Sequence, residues 1–366
     1  MLSRTARTYV VAGLVLVGVA LAGAAVFVTS GIYNVSAARE HLDLTTWILD
    51  VSRRSSVRTH SLGIEAPPLD EPGMAELGAR YFETGCAPCH GAPGRQPSPI
   101  APAMLPDPPG LGASVRDWTT EELFWIVHNG QKYTGMPAWL DFEREDEVWP
   151  VVAFMKDLPE LDAAQYRALA GAGATTGMSF LDTQAAELRA LCAGCHGEAD
   201  GQPVSPRVPR LGGQSAAYLE RAMREFANDR RESGMMELFA RNLSEAQIAG
   251  IAAYYAGGRP RAATGDGAVG DPDAGSEIFS LGVPERDVPA CVTCHVSSQN
   301  RHYPRLDGQS ATYVRQQLEN WHDGLRDNSE YGRIMAPLGA RLTAQQRADV
   351  AAYIETLPPF AEGGLP

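Results

Sequence analysis

All six cysteines of this chain fall in three copies of one five-residue pattern. The copies are Cys86-Ala-Pro-Cys89-His90, Cys192-Ala-Gly-Cys195-His196 and Cys291-Val-Thr-Cys294-His295. Two thiols separated by two residues and followed at once by a histidine are the attachment pattern of haem c, in which both sulfurs form thioethers to the porphyrin and the histidine ligates the iron. The pattern predicts three covalently bound haem c groups, with His90, His196 and His295 as iron ligands.

Three other kinds of site use closely spaced cysteines, and each fits this chain less well. A redox-active dithiol of the thioredoxin kind follows a strand in a βαβ unit, and no such pattern flanks these motifs. A structural zinc site needs four ligands, usually from two paired knuckles, whereas these motifs lie about a hundred residues apart. A disulfide framework gives no reason for a histidine after every second cysteine.

The composition is that of a folded, acidic protein. The chain has 366 residues, of which 44% are apolar and 20% are charged, and its formal net charge is −13. This length accommodates two to four domains, and three motifs at similar intervals favour three small ones. The negative charge argues against nucleic acid as a partner.

The amino-terminal segment predicts a membrane anchor. Arg4 and Arg7 precede an uncharged apolar run over residues 9–28, which spans roughly 30 Å as a helix. The preceding positive charges place the amino terminus in the cytoplasm and the rest of the chain on the periplasmic side of the inner membrane. A cleaved signal peptide is the alternative, with Val35-Ser36-Ala37 as its cleavage site. Either alternative exports the chain to the compartment where haem c is attached.

An electron-transfer haem has a second iron ligand opposite the histidine, and a methionine thioether is expected here because it raises the potential. Met335 is the only methionine after Cys291, and it stands eight residues before Thr343, the predicted N-cap of the last helix. Counting eight residues back from Ser244, the corresponding cap in the second segment, selects Met236.

Alternatives remain open for two of these methionines. Met235 directly precedes Met236 and is the other candidate in the second segment. In the first segment Met136, followed by a proline, is the predicted ligand, and Met104 and Met155 are weaker candidates. Methionine fills cores more often than it ligates metals, so these assignments depend on position and not on residue type.

A proline carbonyl is expected to accept the imidazole N–H of each ligand histidine and thereby to fix the ring. Pro209 and Pro304 stand at the expected position in the second and third segments. In the first segment the spacing leaves Pro106 and Pro108 as alternatives.

Hydrophobic periodicity and capping signals predict an all-α fold. Helices are expected over residues 42–52, 74–84, 120–127 and 146–158, the third of these beginning at a capping signal on Thr119 and Glu122. Residues 160–175 and 257–273 are predicted linkers, since they contain little that packs. The predicted organisation is a transmembrane anchor (1–30), a membrane-proximal linker (31–69) and three domains (70–160, 177–257 and 270–358).

The last two domains repeat each other. The segment Leu211-Gly-Gly-Gln214-Ser corresponds to Leu306-Asp-Gly-Gln309-Ser, and the residues leading into the final helix of each domain also correspond. With the C-x-x-C-H motif and the late methionine in both halves, residues 177–357 resemble diheme periplasmic cytochromes of the c-four type.

Residues 70–159 resemble the single-haem class I cytochrome c domains of terminal-oxidase subunits, in which the ligand loop reads Thr-Gly-Met-Pro. The resemblance implies class I cytochrome c folds and electron transfer without substrate chemistry, so the chain is expected not to be an enzyme by itself. The favoured partner is a haem–copper terminal oxidase of a respiratory chain. This chain is expected to be a subunit of that oxidase or its dedicated electron donor. The alternative is a periplasmic dehydrogenase that passes its electrons to this chain.

Overall fold

The computed structural model describes residues 3–171, 184–259, 262–263, 269–296 and 300–358. Within these ranges the secondary structure is helical, with two isolated bridges and no strand. The prediction of an all-α fold is confirmed. The start of the predicted second domain at residue 177 and parts of both predicted linkers lie outside the described residues.

The chain begins with a long apolar helix, α1 (Arg4–Thr29), whose length is about 39 Å at 1.5 Å per residue. Length and composition suit it to cross a bilayer, and none of its residues is buried. The next helix, α2 (Asp43–His60), continues eight residues beyond the predicted helix end at Ser52. Its carboxyl-terminal half is held by buried Val57 and by the stacking of His60 on Trp125.

The first haem motif is surrounded by what we call the first core, the packed helices within residues 64–170. Its helices are α3 (Met74–Gly85), α4 (Ala87–His90), α5 (Leu111–Ser114), α6 (Thr120–Asn129), α7 (Val148–Asp157) and α8 (Ala163–Ala170). Helices α3 and α7 cross at Gly78, where a side chain would collide with the carbonyl of Pro150. The capping box of Thr119 and Glu122 is present at the start of α6, as predicted.

The predicted linker of residues 160–175 is only partly a linker, because residues 163–170 form α8. Asp162 and Gln165 make a capping box at its start, and the buried Tyr166 packs against Phe82 and Phe154. The Tyr166 hydroxyl also donates to the buried carboxylate of Glu83. The sequence prediction missed this helix because only two of its residues, Tyr166 and Ala170, are buried.

The other two motifs have cores of similar construction. The second core is built from α9 (Ala185–His196), α10 (Ala216–Ala227), α11 (Gly234–Ala240) and α12 (Glu245–Ala256). The third core is built from α13 (Pro272–Leu281), α14 (Val292–His295), α15 (Ala311–His322), α16 (Glu330–Arg341) and α17 (Ala344–Thr356). Ser244 and Thr343 cap the last helix of each core with complete capping boxes, as the sequence predicts.

Candidate haem attachment sites

Each Cys-x-x-Cys-His motif lies on one turn of helix. The first and third motifs form the short helices α4 and α14, and the second motif ends α9. In the first motif the amide of His90 donates to the carbonyl of Cys86 over 2.9 Å, which closes the turn that holds both thiols and the histidine together. All six cysteines are half-buried thiols that form no disulfide. This arrangement presents two sulfurs and one imidazole to a single ligand.

The three histidine rings are fixed in the same way. Nδ1 of His90, His196 and His295 lies 2.8, 2.9 and 2.9 Å from the carbonyl oxygens of Pro109, Pro209 and Pro304, respectively. A carbonyl can only accept, so Nδ1 carries the proton and Nε2 keeps the lone pair. Burial lowers the pKa of all three histidines, which favours the neutral ring. Each histidine is therefore prepared to ligate a metal through Nε2.

The proline expectations for the second and third motifs are confirmed, and the one for the first motif is wrong. Pro109, and not Pro106 or Pro108, accepts from His90. The three prolines lie within four residues of each other, so spacing along the sequence could not separate them. The Leu105–Pro106 peptide bond is cis.

The thiols are in apolar surroundings. Burial raises the pKa of Cys86 and Cys192 to about 12 and that of Cys195 and Cys291 to about 11.

One continuous cavity joins the second and third motifs. Its lining includes both cysteines and the histidine of each motif, the methionines Met235, Met236 and Met335, and many apolar side chains. Met235 is buried on α11, whereas Met236 is half-buried. The cavity thus brings His196 together with both candidate methionines of the second segment, and His295 together with Met335.

At the first site Met136 lies in an ordered turn after α6. The amide of Gln131 donates to the Met136 carbonyl over 3.1 Å, and the amide of Met136 donates to the Thr134 hydroxyl over 3.1 Å. Met104 lies beside this turn, because a Cβ on Gly135 would be 2.8 Å from its Sδ. Met155 is buried in the first core on α7.

The cavity also contains two arginines, Arg231 and Arg326, that form no close ion pair with a described carboxylate. Arg231 donates to the Tyr313 hydroxyl over 3.0 Å, and Arg326 donates to Gln317 Oε1 over 2.6 Å. Burial and the charge of Arg231 lower the pKa of Arg326 to about 10. The buried Nε1 of Trp321 has no hydrogen-bond partner there either. Haem carries two propionate carboxylates, and these donors fit such groups.

The second and third cores contact each other through two equivalent glutamines. The amide of Gln309 donates to the Arg210 carbonyl over 2.8 Å and accepts from the Arg210 amide over 3.1 Å. The amide of Gln214 makes the same pair with Arg305, at 2.7 and 2.9 Å. The repeated Gly-Gln-Ser segment therefore produces a contact in which each core holds the other by the same four atoms.

The first core contacts the second through a buried carboxylate. Glu147, 6% exposed, accepts hydrogen bonds from the Ser233 hydroxyl (2.5 Å) and from the Met235 amide (3.3 Å). Arg144 lies 3.2 Å from Glu147 and donates to the carbonyl of Glu232 over 2.6 Å. These bonds attach the first core to the segment that carries Met235 and Met236.

Two side chains of α3 extend this contact to the second haem motif. Leu77 and Tyr81 line the same cavity as Cys192 and Cys195, although they belong to the first core. Burial and the neighbouring acidic groups, including Cys195, raise the pKa of Tyr81. The helix that leads into the first motif thus forms part of the wall around the second.

Two family models match parts of this chain. The family described as cytochrome C oxidase, cbb3-type, subunit III matches residues 73–155 and 181–254, and the family cytochrome c matches residues 273–358. Cytochrome c4 of Pseudomonas aeruginosa is 34% identical over 175 residues, which cover 46% of this chain and 84% of the relative. The chain belongs to the cytochrome c family.

Two further relatives resemble about half of this cytochrome. The thiosulfate dehydrogenase electron acceptor of Thiomonas intermedia is 32% identical over 173 residues, covering 46% of this chain and 79% of the relative. The solved structure of cytochrome c4 from Acidithiobacillus ferrooxidans is 31% identical, with a TM-score of 0.40 over 45% of this chain and 98% of that chain. Electron transfer by c-type cytochrome domains is the function common to these relatives.

Several residues around the sites of this cytochrome were not singled out from the sequence. The repeat marked Gln214 and Gln309 as equivalent, but nothing in it indicated that each bonds to the other core. Arg231 and Arg326 both stand thirteen residues after the equivalent tyrosines Tyr218 and Tyr313, a spacing that aligning the repeats would have revealed. No sequence signal pointed to Tyr81 or Glu147, whose roles depend on the contact between cores.

Proposed function

We propose that this cytochrome is a membrane-anchored, triheme electron-transfer protein. The observation that carries the proposal is that His90, His196 and His295 each follow a pair of free thiols and each donate Nδ1–H to a proline carbonyl. The experiment that tests it is the measurement of covalent haem per chain. Three haems are expected, and the loss of one haem is expected when the two cysteines of a single motif are replaced by alanine.

The proposed ligand sets follow from the sites. Thioethers form at Cys86 and Cys89, at Cys192 and Cys195, and at Cys291 and Cys294. The iron ligands are His90 with Met136, His196 with Met236, and His295 with Met335. The corresponding haem domains comprise residues 70–160, 177–257 and 270–358.

A bound haem c supplies one-electron chemistry by cycling its iron between the ferrous and ferric states. The chain's own residues hold the rings, keep the histidines neutral and exclude water with the apolar cavity walls.

The contacts between cores support a linear order of the three sites. The first core supplies Leu77 and Tyr81 to the cavity wall at the second motif, and the second and third motifs open on one cavity. With haem bound at all three motifs, electrons would pass between the first and second sites and between the second and third sites.

A terminal oxidase is one of two proposed partners. The match of residues 73–155 and 181–254 to the cbb3-type oxidase subunit III family supports an electron donor or subunit of a haem–copper oxidase. The test is oxidation of the reduced protein by membranes of its own host. Rapid oxidation that cyanide abolishes is expected, and oxidation that cyanide leaves unchanged would contradict this partner.

A periplasmic dehydrogenase is the second proposed partner. It is supported by a relative named as a thiosulfate dehydrogenase electron acceptor, which matches 46% of this chain. Here the oxidised protein is mixed with periplasmic extract and thiosulfate. Haem reduction that requires both thiosulfate and extract would favour this partner, and no reduction would count against it.

The apolar helix α1 supports attachment to the inner membrane, with the haem domains on the periplasmic side. Residues 31–69 then form the membrane-proximal segment. Arg4 and Arg7 lie in the first two turns of α1, before its apolar run, as the positive-inside rule requires for this orientation.

A further inference from the structure

The contact between the second and third cores lies next to the two proline carbonyls that fix the ligand histidines. Gln309 holds both backbone polar groups of Arg210, and Arg210 directly follows Pro209, whose carbonyl accepts from His196. Gln214 holds Arg305 in the same way, and Arg305 follows Pro304, whose carbonyl accepts from His295. Each histidine is thus oriented by a backbone segment that the opposite core holds.

From this geometry we propose that Gln309 is a positioning residue for the second haem and Gln214 a positioning residue for the third. The inference rests on the proposed function, since it requires a haem at both motifs. Each glutamine therefore acts on the ligand histidine of the core to which it does not itself belong.

The strength of the Nδ1–H bond is what the glutamines control. A carbonyl that accepts this proton makes the imidazole a better electron donor and fixes the orientation of its ring. Gln309 and Gln214 are both 5% exposed, and each makes two hydrogen bonds, so the backbone beside the proline has little freedom. When those two bonds are lost, the carbonyl can turn away from the ring, and the iron receives less electron density.

The contact contains other bonds that do not reach these segments. The Ser310 hydroxyl donates to the Pro206 carbonyl across the same contact, four residues before Arg210. The Ser310 hydroxyl also caps α15 by accepting from the Tyr313 amide over 3.1 Å, so Ser310→Ala weakens both the contact and the cap while leaving the bonds to Arg210 in place. It therefore separates the positioning role of Gln309 from a purely structural role.

The experiment uses the full-length protein with three single variants: Gln309→Leu, Gln214→Leu and Ser310→Ala. Redox potentials are measured for each haem, and the proton chemical shift of each ligand histidine Nδ1–H is measured by NMR spectroscopy of the ferrous protein. The spectrum of Met335→Leu, whose change is at the third site, identifies the signals of the third haem. Haem per chain is determined first, which tests the proposed function by itself.

The expected result is a crossed pattern. Gln309→Leu raises the potential of the second haem and moves the His196 Nδ1–H resonance upfield, and it leaves the third haem and His295 unchanged. Gln214→Leu does so for the third haem and His295 alone. Ser310→Ala lowers the thermal midpoint and leaves both resonances unchanged. If a leucine variant does not fold, Gln309→Glu keeps the acceptor for the Arg210 amide, and a smaller shift confined to the second haem is expected.

Three results would overturn the inference while leaving three haems in place. The first is a shift at the haem of the glutamine's own core, and the second is an equal shift at both haems. The third is a shift in Ser310→Ala as large as that in Gln309→Leu. Fewer than three haems in the wild-type protein would instead contradict the proposed function.

Discussion

The Ser233 hydroxyl donates a 2.5 Å hydrogen bond to the buried carboxylate of Glu147, across the contact between the first and second cores. Ser233 also caps α11, the helix that carries Met235 and Met236. One carboxylate of the first core therefore holds the start of α11, the helix that supplies the proposed methionine ligand of the second haem iron. This contact links the position of the first core to the geometry of the second site.

Glu147→Ala is expected to weaken this contact strongly. It removes the acceptor of the Ser233 hydroxyl and of the Met235 amide, and a hydrogen bond to a charged group typically contributes about 1.5–3 kcal/mol. Arg144 keeps its ion pair with Asp146. Urea denaturation and limited proteolysis between residues 160 and 190 measure the loss. The control is the exposed neighbour Glu145, whose change to alanine should alter stability by less than about 0.5 kcal/mol. Equal stability of both variants would contradict the role of Glu147.

Met236→Leu and Met235→Leu distinguish the two candidate ligands of the second iron. Leucine for methionine usually costs less than about 1.5 kcal/mol, so both proteins should remain folded. Met236→Leu is expected to remove the contribution of one haem to the far-red absorption band of methionine–ferric ligation, and Met235→Leu to leave the band intact. The opposite outcome would assign the ligand to Met235.

Arg326→Leu is expected to lower a haem potential. Removing a buried positive charge favours the ferric state over the ferrous state, because the ferric iron carries one more positive charge. Spectroelectrochemical titration measures the change, and Arg333→Leu, which changes an exposed arginine of α16, is the control. Equal potentials in the two variants would show that Arg326 does not face a haem carboxylate.

Replacing residues 1–30 by a cleavable signal peptide is expected to release the protein into the soluble periplasmic fraction. Helix α1 makes no buried contact with the rest of the described chain, so haem content and spectra should not change. The wild-type protein should require detergent for extraction. A mature wild-type protein that begins near Ala38 would instead show that the segment is a cleaved signal.

Features that depend on neighbours along the chain were predictable. The caps at Thr119, Ser244 and Thr343 are set by residues within one helical turn, and all three are present. The motif spacing likewise predicted that the thiols and histidine of each site lie together. Pro209 and Pro304 were predicted because the repeat gave two matching copies.

Features that depend on packing between distant segments were not predictable. Pro109 could not be chosen over Pro106 and Pro108, because the path of that loop decides which carbonyl meets His90. Helix α8 was assigned to a linker, although Tyr166 holds it on the first core. The crossed bonds of Gln214 and Gln309 join residues more than ninety positions apart, and a single sequence contains no record of them.

The central claim is that each of the three motifs holds one covalent haem. Intact mass of the denatured protein, together with the pyridine haemochrome spectrum, counts covalent haems per chain directly. Three haems in the wild-type protein, and two when Cys86 and Cys89, Cys192 and Cys195, or Cys291 and Cys294 are changed to alanine, are the predicted results. Fewer than three haems in protein matured with a complete haem-attachment system, or a variant that loses none, would contradict the claim.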